Sequence, residues 1–345
     1  MNLTSTRYAF MSAYLKGEES RTVTSDHIGE VVQRSATMQD AFEIIGDTDI
    51  GEYLLDQPIT TFDHADEHLW LYLDECLGRL EGFDMPRDML QVARLYTEKY
   101  DVLNIGTALR VILKKTPASP VPVGTIHSGG CLEELSAVRE RDELISLLAR
   151  CNLGRYIRTI EEINEKDPQS VSEGEVALQN LYHQMVLGAF RGMADGHLLE
   201  QAFRIGIDVA NLRTVFRVSL GGNHSTGAPA LSGGRMLSED DVQELLTLKL
   251  GEITGRLEGT GYHAMVQEVS KGYEKGGEIT AVDKITEKHR FRMLRDLLST
   301  RILSTSNMLW YLLLKELEVR NLRLTFKVLA DGIPAAEIKD LVIAA

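Results

Sequence analysis

Two imidazoles and a carboxylate stand at the spacing used by one class of zinc hydrolase. His64-Ala65-Asp66-Glu67-His68 has the order H-x-x-E-H, which on a helix puts both imidazoles on one side with the glutamate as a general base. Such a site needs a third protein ligand and a metal-bound water. The pattern is short, supplies no third ligand, and lies in a polar stretch just ahead of an apolar helix. A solvated first helical turn with its acidic residues explains it better. Gly259-Thr260-Gly261 hints at a nucleotide loop but lacks the third glycine of G-x-G-x-x-G, and no strand precedes it. The chain has no G-x-x-x-x-G-K-[ST] and no G-x-S-x-G, so neither direct nucleotide binding nor a serine nucleophile is expected. Cys76, Cys131 and Cys151 are odd in number and show no C-x-x-C spacing, which suggests neither a disulfide framework nor a zinc knuckle. No cofactor and no metal are expected.

A different constellation recurs. Asp101-Val102-Leu103-Asn104-Ile105, Asp208-Val209-Ala210-Asn211-Leu212 and Glu318-Val319-Arg320-Asn321-Leu322 share an acidic-Val-x-Asn signature. A basic residue follows each Asn by six positions: Arg110, Arg217 and Lys327. The Asn positions lie 107 and 110 residues apart. Ser25, Ser128 and Ser232 recur at 103 and 104 residues, the latter two each opening Ser-Gly-Gly, and Tyr53, Tyr156 and Tyr262 at 103 and 106. Self-similarity at a fixed period governs the fold.

On a helix, Val102, Ile105, Ala108 and Leu109 form one apolar stripe. Val209, Leu212, Val215 and Phe216 form the second; Val319, Leu322, Thr325 and Phe326 form the third. Asp101 falls within its stripe, Asn104 borders it, and Arg110 points to the opposite side. Polar groups at the edge of a packed interface need partners. The expectation is that they hydrogen-bond a neighbouring helix end or loop and give each bundle one register. Catalysis would need a nucleophile or metal beside them, and no His, Cys or Ser recurs at a fixed offset in all three copies. Lys288, His289, Arg290, Arg292, Arg295 and Arg301 form the most basic stretch, read as a solvated face paired with Glu287 and Asp296, with docking onto an acidic protein surface as the sharper alternative.

The elements that carry these residues are helical. The chain has 345 residues, of which 43% are hydrophobic, enough for sizeable cores, and a formal net charge of −14. That charge argues against a broad nucleic-acid footprint. Helical spacing predicts elements near 66–80, 88–115, 132–149, 176–190, 197–220, 281–300 and 303–330. Strand-like alternation is scarce. Pro- and Gly-containing linkers at 116–130 and 221–234 fall where the repeat predicts boundaries, with further breaks at Pro168 and at Gly272, Gly276 and Gly277. The expected organisation is all-α: an N-terminal helix in 1–20 packing against the repeats, then repeats at 21–120, 121–227 and 228–345. The longest apolar run, Met308 to Leu314, is too short to span a bilayer. Met1 to Arg21 carries Arg7, Lys16, Glu18 and Glu19 and no apolar h-region, so no signal peptide is expected.

The triple signature, above all Tyr311 to Lys327 with Glu316, Glu318, Asn321, Leu322 and Arg323, resembles the C subunit of the archaeal and bacterial A/V-type ATP synthases. Its eukaryotic counterpart is the d subunit of the vacuolar ATPase. The resemblance covers essentially the whole chain. It implies a non-catalytic central-stalk rotor component on the cytoplasmic face of the membrane, with three similar units around a pseudo-threefold axis forming a funnel. It implies two partners, the central shaft subunits and the membrane proteolipid ring, with torque passing between ion translocation and ATP synthesis or hydrolysis. The alternatives are a helical scaffold for a soluble partner and a zinc hydrolase using His64, Glu67 and His68.

Overall fold

The computed structural model describes residues 3–116, 118–164, 170–221, 228–276, 280–301, 303–333 and 342–343. Pro117, Pro168, Gly277 and residues 222–227 of the second linker lie outside the described residues. Every regular element among the described residues is helical. The first third forms α1 (Leu3–Glu19), α2 (Ser25–Arg34), α3 (Met38–Ile44), α4 (Asp49–Leu55), α5 (Phe62–Glu81) and α6 (Arg87–Lys114). The middle forms α7 (Thr125–Ser128), α8 (Leu132–Ala137), α9 (Arg141–Arg150), α10 (Ile157–Glu161), α11 (Ser170–Phe190) and α12 (Gly196–Leu220). The last third forms α13 (Glu239–Thr247), α14 (Leu250–Arg256), α15 (His263–Gly276), α16 (Thr280–Leu298) and α17 (Ser306–Ala330).

Local chemistry sets the helix starts. Thr24, Thr37, Thr48 and Thr61 each accept a backbone N–H from the first turn of α2, α3, α4 and α5. Each satisfies one donor that the helix itself leaves unpaired. Ser238 does the same for α13. Two expectations are corrected. The stretch 132–149 is two helices, because Glu143 turns back to accept the N–H groups of Arg139 (2.8 Å) and Glu140 (3.2 Å) and so starts α9 afresh. Gly272 is no break: α15 runs through it to Gly276, since a single glycine costs a helix only about 1 kcal/mol.

The chain divides into two compact units. One comprises residues 1–182, 193–195 and 301–345; the other comprises 183–192 and 196–300. In the first, α17 packs against α5, α6, α1 and α3. Residues Ser306 to Lys315 of α17 are all buried, so the apolar run Met308 to Leu314 is a core helix covered on every side. Ser12 of α1 accepts from the Asn307 carboxamide at 3.1 Å. In the second unit, α12 packs against α16, α13 and α14, and α15 packs on α16. The apolar stripes predicted for the three signature helices are buried throughout.

Phe326 and Phe42 meet edge to face, 5.1 Å between centroids, where α17 crosses α3. Both are buried. Phe326→Ala should destabilise the first unit by about 3–5 kcal/mol, measured by urea unfolding with deuterium exchange to assign the loss to that unit.

Candidate functional site

The signature asparagines make the same pair of hydrogen bonds in all three copies. The Asn104 carboxamide donates to the carbonyl of Val121 (2.9 Å) and accepts from its N–H (2.8 Å). Asn211 treats Leu231 likewise, at 2.8 and 2.9 Å. Asn321 treats Ile343 likewise, at 2.9 and 3.2 Å. The partners lie 17, 20 and 22 residues downstream. A carboxamide carries a donor and an acceptor in the geometry of a peptide group. It therefore pairs with an isolated stretch of backbone as a neighbouring strand would. Asn104, placed at the edge of its stripe by sequence, is fully buried.

The acidic residue one turn earlier holds backbone N–H groups. Asp101 accepts from Thr125 (3.0 Å) and Ile126 (2.9 Å), the first turn of α7. That turn has no cap of its own, because Gly124 occupies the N-cap position. Gly124 has φ +102°, and a Cβ there would lie 2.8 Å from an Asp101 carboxylate oxygen. Only glycine meets both conditions. Asp208 accepts from Arg235 (3.1 Å), Met236 (2.8 Å), Leu237 (3.3 Å) and the Tyr262 hydroxyl (2.6 Å). Gly234 takes the place beside it that Gly124 takes beside Asp101: a Cβ there would lie 2.0 Å from Asp208. The structural spacing is thus 110 residues, from Gly124 to Gly234. The Ser-Gly-Gly landmark at Ser128 and Ser232 is out of that register. Glu318 reaches the other way along the chain and accepts from Val23 N–H at 2.7 Å, 295 residues upstream.

Burial pushes the carboxyls of Asp101, Asp208 and Glu318 above the usual carboxylate range. The N–H donors oppose that rise in each case, and for Asp208 the Tyr262 hydroxyl does so most. Raised values in a cleft would mark catalytic acids. These carboxyls are instead occupied by fixed backbone donors.

The basic residues tie each signature helix to another long helix. Arg110 pairs with Glu175 of α11 (2.5 Å) and Arg217 with Asp283 of α16 (2.5 Å). Lys327 does not follow them: it pairs with Asp331, one turn along its own helix, at 2.9 Å. In that copy Arg323 makes the cross-helix pair, with Asp66 of α5. The substitution is helical geometry, since residues two and six beyond the Asn lie one turn apart on one face. The second copy uses both positions, with Arg213 bonding Glu287 at 3.0 Å. In the first copy the nearer position is Gly106, and Glu175 fills the space.

Ala194, ahead of α12, bonds both the first turn of α6 and the residue ahead of α17. Asp88, in the first turn of α6, accepts from Ala194 N–H at 3.1 Å. Thr305, which precedes α17, donates to the Ala194 carbonyl at 2.5 Å. Lys99 of α6 pairs with Glu316 of α17 at 2.5 Å.

The profile of the family described as ATP synthase (C/AC39) subunit matches residues 11–341. The chain belongs to that family. It is similar to the A-type ATP synthase C subunit of Thermococcus kodakarensis, 27% identical over 98% of this chain and 90% of that one. The same protein of Methanocaldococcus jannaschii is 26% identical over 97% of this chain and 86% of its own. That of Thermococcus onnurineus is 24% identical over 98% and 90%. Membership makes the chain a non-catalytic part of an ATP synthase.

The remaining sequence candidates fall elsewhere. His64 is exposed and faces Thr60 at 3.3 Å, while His68 faces the Tyr53 hydroxyl at 3.2 Å. No group of three His, Cys, Asp or Glu among the described residues is placed to hold a metal ion. Gly259 to Gly261 form a turn closed by the Thr260 hydroxyl on the Leu257 carbonyl at 2.7 Å. In the basic stretch, Lys288 and His289 share Glu268 at 2.9 and 2.8 Å, and Arg290 pairs with Glu287. No helix among the described residues is long and apolar enough to cross a membrane.

Asp208→Asn removes one acceptor oxygen and sets an NH2 against backbone donors. It should cost about 2–3 kcal/mol in the second unit. A raised carboxyl pKa in the folded state means that Asp208's contribution is full below its ordinary range and is lost as pH rises through the raised value. The gap between wild type and variant should therefore widen as pH falls, measured by urea unfolding across a pH series.

Proposed function

We propose that this chain is the central-stalk rotor component of an A/V-type ATP synthase or ATPase. In this reading it is a socket between the shaft and the proteolipid ring, and it carries torque between proton or sodium translocation and ATP synthesis or hydrolysis. It works on the cytoplasmic face of the membrane and binds no nucleotide itself. The family match carries the reading. The curated relatives are named as the C subunit of A-type ATP synthases.

The organisation proposed for this role is three repeats, at 21–120, 121–227 and 228–345, about a pseudo-threefold axis, with a helix from 1–20 packed against them. The pattern of partners supports it. The α6 signature bonds Thr125 and Glu175 of the second repeat. The α12 signature bonds Arg235 and Asp283 of the third. The α17 signature bonds Val23 and Asp66 of the first. Each repeat thus hands its last long helix to the next, and the third hands its own back to the first. A part that transmits torque must resist shear between repeats. Exchange of a long buried helix makes each joint a core rather than a mobile domain interface.

The test is reconstitution of the complex with and without this chain. Coupling requires that omission leave nucleotide hydrolysis by the head running while ion flux no longer follows it, with coupling restored on adding the chain back. Ion flux that still tracks turnover without the chain would overturn the reading.

A further inference from the structure

The third joint is built differently from the other two. Asp101 collects two N–H groups that lie 24 and 25 residues downstream. Asp208 collects three, from 27 to 29 residues downstream, and a phenol. Glu318 collects a single N–H, that of Val23. Its second oxygen is met by Lys315 at 3.2 Å, one turn earlier on α17. The Lys315 ammonium is 0% exposed and also donates to the Tyr72 hydroxyl of α5 at 2.9 Å. The corresponding positions on α6 and α12 are Glu98 and Ile205, so the internal cation belongs to this joint.

Two further observations set the joint apart. A cavity of about 20 Å³, lined by Thr22, Val23, Glu318, Asn321 and Ile343 among others, lies at it. That is room for one water, with polar groups to receive it. The bond from Ile343 N–H to Asn321, at 3.2 Å, is longer than its counterparts at 2.8 and 2.9 Å. A buried ion pair gives back in desolvation much of what it gains in attraction. One backbone donor and such a pair therefore hold less firmly than two or three donors on one carboxylate.

We propose that Lys315, Glu318 and Tyr72 form a reversible latch that fastens α17 to the start of α2, and that this joint opens before the other two. Its opening frees the segment 22–28 and the backbone at 343 together, while α17 stays packed on α5 and α6. The ion pair makes the latch switch-like. Either charge alone is stranded when its partner is removed, whereas removing both leaves no buried charge and costs only the bonds to the Val23 N–H and the Tyr72 hydroxyl.

Deuterium exchange of the full chain, read by mass spectrometry along a sub-denaturing urea series, tests this. Peptides covering 22–34 should exchange at lower urea than those covering 118–130 and 229–240. Lys315→Met should speed exchange of 22–34 by about a hundredfold or more and leave the other two peptides unchanged. Tyr72→Phe, the milder variant, should speed it about tenfold. The double variant Lys315→Met/Glu318→Leu should return the rate toward wild type. Exchange of 22–34 together with or after the other two peptides in the wild-type chain would overturn the proposal, whether or not the variants fold. So would a Tyr72→Phe variant that speeds all three peptides equally.

Discussion

A buried helix can organise extended backbone around it only if it offers that backbone hydrogen bonds. Unpaired N–H and C=O groups inside a protein cost about as much as any bond they could have made. Three helices here meet that constraint with one device. An asparagine pairs with both polar groups of one residue, and an acid one turn before it takes backbone N–H groups from a neighbouring segment. The placement of the backbone at 121, 231 and 343 against the three helices depends on that pairing.

The same device explains why acidic and amide groups recur without any chemistry attached. Buried carboxyls with raised pKa values are what a search for catalytic acids would select. In this chain their oxygens are met by N–H groups of α7, of residues 235–237 and of residue 23, with the Tyr262 hydroxyl on Asp208 and the Lys315 ammonium on Glu318, so they hold backbone in place. Such bonds leave no carboxyl open to a substrate. Where the cross-helix cation shifts from the position of Arg217 to that of Arg323 in the third copy, the ion pair survives because the helix face does.

Much of this was legible in the sequence. Period-3.6 patterning located α6, α12, α16 and α17, and the stripes around Val102, Val209 and Val319 are the buried ones. The order of acid, Val and Asn marked the helices that matter. What was not legible lies in the partners. Val121, Leu231 and Ile343 carry no side-chain signal, because the asparagine reads their backbone. Gly124 and Gly234 were the available clue, since a glycine beside a buried carboxylate reports close approach, but the Ser-Gly-Gly match at Ser128 points further along the first linker. The break before α9 depends on one glutamate turning back. The contact from Glu318 to Val23 joins the two ends of the sequence, and periodicity says nothing about which ends meet.

The central claim is that the signature asparagines stitch the joints, and substitution at all three equivalent positions measures it most directly. Asn104→Leu, Asn211→Leu and Asn321→Leu keep the branched side-chain shape while removing both bonds. Each should cost about 2–3 kcal/mol, with loss of exchange protection confined to the backbone at 121, 231 or 343 respectively. Variants that unfold at the wild-type midpoint, with those three positions still protected, would contradict the account.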